Sequence, residues 1–101
     1  MPEVVTIVTA FIPPDRIDDV IAEFGATIRA GMLPERRHTS LLRGEENMMR
    51  IITVWRSRAD LDHYLATTEH PFAVSLLRRF GGAPVVDIHE LVLDSTTAWW
   101  P

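Results

Sequence analysis

Residues 3–12, EVVTIVTAFI, form a strand-length run rich in β-branched side chains that stops at Pro13-Pro14. Successive side chains of a strand point to opposite faces. Val4, Val8 and Ile12 therefore lie on one side, and Val5, Ile7 and Phe11 on the other. Both sides are apolar. A strand with one face in water alternates apolar and polar residues, so this one must be covered on both faces.

The next segment supplies one cover. Ile17, Val20, Ile21, Phe24 and Ile28 recur at helical spacing. Asp15, Asp18 and Asp19 crowd the first turn, where the helix dipole favours negative charge, and Arg29 sits in the last. Gly31 stands where a helix commonly ends in a left-handed residue. Residues 36–43 read as a weaker strand, GEEN as a hairpin turn, and residues 48–56 as the returning strand. Ser57 with Asp60 three residues on resembles a capping box for a second helix, whose inward face is Leu61, Tyr64 and Leu65. Pro71 interrupts that helix, and a further helical piece ends at Gly81-Gly82. Residues 84–94 give a last strand.

The order is β-α-β-β-α-β, the ferredoxin-like split βαβ arrangement: an α+β domain with a four-stranded antiparallel sheet. Residues 1–94 are expected to form one domain and residues 95–101 a tail. Both helices fall on one face of the sheet. The other face stays apolar, and the economical cover is a second copy packed sheet to sheet as a homodimer. Trp99 and Trp100 are expected against that partner.

Composition excludes several classes. With 101 residues, net charge −4 and pI near 5.4, the chain has no basic footprint for nucleic acid. All ten basic residues are arginine, and Arg29, Arg36, Arg37, Arg43, Arg78 and Arg79 are expected in solvent. The absence of cysteine removes disulfides and thiol nucleophiles. No apolar run approaches membrane-span length, and MPEVVTIV lacks the marks of a signal peptide, so a cytoplasmic protein without membrane contact is expected. The histidines and carboxylates show no metal-ligand spacing, and Gly81-Gly82 is no phosphate loop.

Residues 54–77, VWRSRADLDHYLATTEHPFAVSLL, carry a Trp-x-Ser at a strand end followed by a helix and a Glu-His near its break. With the element order, this resembles the antibiotic biosynthesis monooxygenase (ABM) family of dimeric α/β barrels. The resemblance spans residues 3–94. It implies a pocket between sheet and helices, and oxidation of an aromatic, quinol-type or polyketide-like compound by O2 without a cofactor. Related branches bind or break haem. This chain departs from the pattern at several positions. Ile51 stands four residues before the tryptophan, where catalytic members carry asparagine; Asn47, the only asparagine, lies in the hairpin turn. Thr6 and Thr9 occupy the first strand, where haem-degrading relatives use asparagine. Thr53 replaces a common glutamate, and Tyr64 a common histidine.

Cofactor-free oxygenation needs an apolar cavity, a base near neutrality and neutral hydrogen-bond donors. Trp55, Tyr64 and His70 are the candidates, and the reading requires all three around one pocket. Trp55 supplies area and an indole N–H, or is a core plug. Tyr64 offers a hydroxyl from the inward helix face, or satisfies a backbone group. His70, at the helix break and matching a family histidine, is the candidate base, or caps the broken helix. His63 should face solvent, and His38 is uncommitted. Asp87 and His89 share a strand face that is either pocket or dimer seam. The partner is then a small hydrophobic aromatic ligand. A non-catalytic barrel that binds such a ligand is the alternative, with a haem-binding relative behind it.

Overall fold

The computed structural model describes residues 2–31 and 36–93. Its elements are β1 (Val4–Phe11), a 3-10 turn (Pro14–Arg16), α1 (Ile17–Arg29), β2 (Arg36–Arg43), β3 (Met48–Trp55), α2 (Arg58–Thr67), α3 (Phe72–Arg79) and β4 (Val85–Glu90). The four strands form one antiparallel sheet in the order β2-β3-β1-β4. This is the ferredoxin-like α+β fold. The last strand is shorter than residues 84–94. Trp99, Trp100 and the whole tail lie outside the described residues.

Local chemistry explains the boundaries. Pro13 and Pro14 end β1 and open the turn into α1. Gly31 takes φ +106° just past α1. Glu46 and Asn47 both have positive φ, at 56° and 65°, the pattern of a tight hairpin turn between β2 and β3. Ser57 Oγ accepts from the Asp60 N–H at 3.1 Å and starts α2.

The apolar stripes meet on one face of the sheet. Val8, Ala10 and Ile12 from the first strand segment and Met49 and Ile51 from β3 pack against Ile17 and Val20 of α1 and Leu76 and Leu77 of α3. A smaller cluster joins Val4 and Trp55 to Leu61 and Tyr64 of α2. Val5 and Ile7, on the opposite face, are only half-buried, and Phe11 is 57% exposed. Among the described residues, strand β1 is thus covered by helices on one side and left open on the other. The register sets Val5 opposite His89 and Ile7 opposite Asp87, so both polar residues belong to the open face.

Gly82 shows how tightly the core closes. A Cβ there would stand 2.8 Å from Ala10 Cβ, 2.8 Å from Ile12 Cδ1 and 3.0 Å from the Leu77 carbonyl oxygen. Two of these neighbours are backbone or fixed to it and cannot swing aside. Gly82→Ala is expected to destabilise the fold by about 1–3 kcal/mol, read as a lowered midpoint in thermal or denaturant unfolding. An unchanged midpoint would mean that the turn relaxes freely.

Candidate functional site

The helix face of the sheet carries a polar row inside an apolar surface. Thr39, Thr53 and Thr6 are register neighbours on β2, β3 and β1, and all three are buried. Thr39 Oγ1 lies 3.4 Å from Thr53 Oγ1. Trp55 Nε1 donates to Thr6 Oγ1 at 3.0 Å. Threonine is a good strand residue, and its hydroxyl satisfies an indole that would otherwise be buried without an acceptor.

Above this row a cleft opens between the sheet and helices α2 and α3. Its cavity volume is about 100 Å³, and it opens to solvent. Thr6, Thr53, Trp55 and Tyr64 line its floor and wall, and Phe72 and Val86 continue it across α3 and β4. Its most exposed lining residues, Val86, Ile88 and Leu65 at 47%, 40% and 45%, mark the mouth.

Trp55 is both plug and wall. At 3% exposure it fills the end of the core, and its ring also borders the cleft. The Tyr64 ring packs against it, with centroids 5.0 Å apart and planes at 43°. Tyr64 Oη accepts from the Phe72 N–H at 3.0 Å, satisfying a free donor at the start of α3. The hydroxyl proton has no acceptor among the described residues and remains available to a ligand.

His70 does not join them. Its side chain is 79% exposed, lies 3.8 Å from the Glu69 carboxylate, and borders a separate depression with Glu23 and Arg79. The expectation that Trp55, Tyr64 and His70 surround one pocket therefore holds for two residues and fails at the third. Helix α2 ends at Thr67, and the chain before Pro71 carries His70 outward. The donor freed at the break is taken by Tyr64 instead. The other histidines also stay outside the cleft: His63 is exposed, His38 Nε2 contacts Ser40 Oγ at 2.8 Å, and His89 is on the open sheet face. No carboxylate or imidazole lines the cleft among the described residues.

Arg36 was expected in solvent and is instead a cleft residue. Its guanidinium carbon lies 5.3 Å from the Trp55 ring centroid, 4.7 Å from Tyr64 and 6.0 Å from Phe72. The Nε is buried and has no hydrogen-bond acceptor among the described residues. A bulge in β2 explains the placement. His38 pairs with Val54, but the ladder shifts so that Arg36, not residue 37, opposes Trp55. Even-numbered residues of regular β2 face the open side; the shift turns Arg36 to the helix side.

The fold has many counterparts among solved structures. SnoaB, a cofactor-independent oxygenase from Streptomyces nogalater, aligns at 18% identity and TM-score 0.67 over 94% of this chain and 98% of its own. A structure described as an antibiotic biosynthesis monooxygenase aligns at 22% identity and TM-score 0.64, covering 89% and 99% of the two chains. The fold is that of the antibiotic biosynthesis monooxygenases. The same ABM fold recurs in NE2512 of Nitrosomonas europaea, of unknown function, at 12% identity and TM-score 0.72 over 94% of each chain. The sequence matches no family model and no curated protein. No described helix is long and apolar enough to cross a membrane.

Thr6→Val removes the hydroxyl that accepts from the Trp55 indole and leaves its N–H buried. It is expected to cost about 1–3 kcal/mol of stability. Trp55→Phe combined with Thr6→Val should cost less than the sum of the single changes, measured as a double-mutant cycle in denaturant unfolding. Strict additivity would show that the bond contributes nothing.

Proposed function

We propose that the protein is a cofactor-independent monooxygenase that oxidises a small aromatic or quinol-type compound with O2. The observation that carries this reading is the aromatic cleft itself: Trp55, Tyr64 and Phe72 form its wall, and hydroxyl donors sit at its floor. SnoaB, a cofactor-independent oxygenase that shares the fold, supports the same class of reaction.

In this mechanism an ionised phenol or enol passes one electron to O2, giving a substrate radical and superoxide. Their recombination forms a carbon–oxygen bond and a peroxide anion on the substrate. Protonation and cleavage of the O–O bond release one oxygen atom as water and leave the other as a carbonyl. For an anthrone the balance is a CH2 group plus O2 giving C=O plus H2O. The cleft's task is to hold the flat ring, keep water from the radical pair and donate to the substrate oxygen. Trp55 shapes the wall, while its N–H is already committed to Thr6. Tyr64 carries the uncommitted donor. His70 faces away from the cleft and has no part in this scheme.

A second reading is a barrel that binds the same kind of compound without transforming it. It is favoured by the lack of any lining carboxylate or imidazole to act as base. Oxygen uptake with a panel of anthrones and hydroquinones, without added cofactor, separates the two. Uptake above the uncatalysed rate, lowered in Tyr64→Phe by roughly 10–100-fold, is the result expected of an oxygenase that loses one donor. Ligand binding with no uptake across the panel would leave the binding barrel.

The open sheet face is the proposed seam of a homodimer. Val5, Ile7, Ile52 and Val54 form a half-buried apolar block there, and a single chain leaves it in water. Light scattering should give the mass of a dimer at micromolar concentration, and Ile7→Asp should give a folded monomer. A monomeric parent chain would overturn the seam.

A further inference from the structure

We infer that Arg36 selects a ligand bearing an anionic oxygen, a carboxylate or phenolate on a planar aromatic ring, and holds that oxygen inside the cleft. The inference deepens the function proposed above, since it takes the same cleft as the ligand site.

Three independent observations point the same way. The first is that, among the described residues, Arg36 is the only cationic side chain lining the cleft, and none there carries a negative charge. Arginine at a protein surface ordinarily meets a carboxylate or water; this one meets three aromatic rings. The rings offset part of the loss of hydration, but they offer no hydrogen-bond acceptor. The second is the buried Nε, which has no partner among the described residues. A guanidinium presents its donors in a planar fork, which a carboxylate satisfies with two parallel bonds and a phenolate oxygen with bonds that converge on one atom. The third is the bulge that sets Arg36 opposite Trp55. Bulges of this kind re-aim a side chain, often beside a functional site. A solvent-facing arginine needs none.

The aromatic wall and the cation also suit one another's ligand. A flat ring lying along Trp55, Tyr64 and Phe72 brings a ring-borne oxygen towards the guanidinium, while Tyr64 Oη can donate to the same oxygen. Opposite charge in an apolar setting favours the ionised form of that group. A phenol entering the cleft would therefore give up its proton without a protein base, the proton leaving to solvent. This accounts for a cleft rich in donors and empty of bases.

The test is calorimetric titration under anaerobic conditions with 2-naphthoate and its neutral analogue 2-naphthamide, and with 4-nitrophenolate and 4-nitroanisole. At least one anion should bind on the order of tenfold more tightly than its neutral analogue, the ratio that about 1.4 kcal/mol corresponds to. The pair that shows the preference tells whether the anion is a carboxylate or a phenolate. In Arg36→Gln the preference for the anion over its neutral analogue should fall to near one. Arg36→Met keeps the stem against the rings and decides the matter should the glutamine variant not fold. Ratios near one in the parent protein, no binding of either anion, or a preference that survives in a folded variant would each overturn the inference. Selective anion binding without oxygen uptake would retain Arg36's role and remove the oxygenase. Uptake without anion preference would do the reverse.

Discussion

The Trp55 indole is the contact on which both halves of the molecule depend. It is the last residue of β3, pairs across the sheet with Val4 and Arg36, and stacks on Tyr64 of α2. Its N–H reaches back to Thr6 on the neighbouring strand. The ring thereby fixes where α2 sits over the sheet, and Tyr64 then fixes α3 through the Phe72 N–H. Fold and cleft share this chain of contacts. A large amphipathic ring can do both because its edges differ: one end is apolar, the other must find an acceptor.

The fold was legible because its signals are local. The β-branched run that stops at Pro13-Pro14 marked the first strand, the spacing of Ile17, Val20 and Phe24 marked α1, and Ser57 marked the start of α2. The site was only half legible. Trp55 and Tyr64 could be placed because each lies on a regular element whose inward face follows from its period. His70 could not, because it lies between α2 and α3, where no period says which way a side chain turns. Arg36 was hidden for a sharper reason. Side-chain parity along β2 holds from His38 to Arg43 and breaks one step earlier, at the bulge. A one-residue shift exchanges the faces of a strand, and RRH carries no glycine or proline that would announce it. The threonine row was visible residue by residue, but its meaning needed the register that aligns Thr39, Thr53 and Thr6.

The polar groups in the cleft are disposed unlike those of a core. A core satisfies its buried donors internally, as Trp55 does with Thr6. Among the described residues the Tyr64 hydroxyl is satisfied as an acceptor only, and Arg36 Nε not at all. Leaving a buried donor unpaired costs about 1–3 kcal/mol, against about 0.5–2 kcal/mol gained where a cation meets an aromatic face. In the empty protein these two nearly cancel, so the arrangement contributes little to folding. Its gain would come from a bound acceptor.

That balance bears on catalysis without a cofactor. The slow requirement in such chemistry is a substrate already carrying the electron-rich anion that O2 can oxidise. A base supplies the anion by taking a proton, but then keeps a charged acid beside the radical pair. A fixed cation supplies it by lowering the energy of the anion itself, and its own charge does not change during the reaction. Arg36 is suited to the second route because a guanidinium stays protonated and its planar face rests on rings that hold it in place. The apolar walls strengthen the attraction by excluding water, and the open mouth gives the departing proton a path to solvent. In the proposed scheme Tyr64 fits the rest of the cleft: where a cation makes the anion, the neighbouring position needs a donor and not a base.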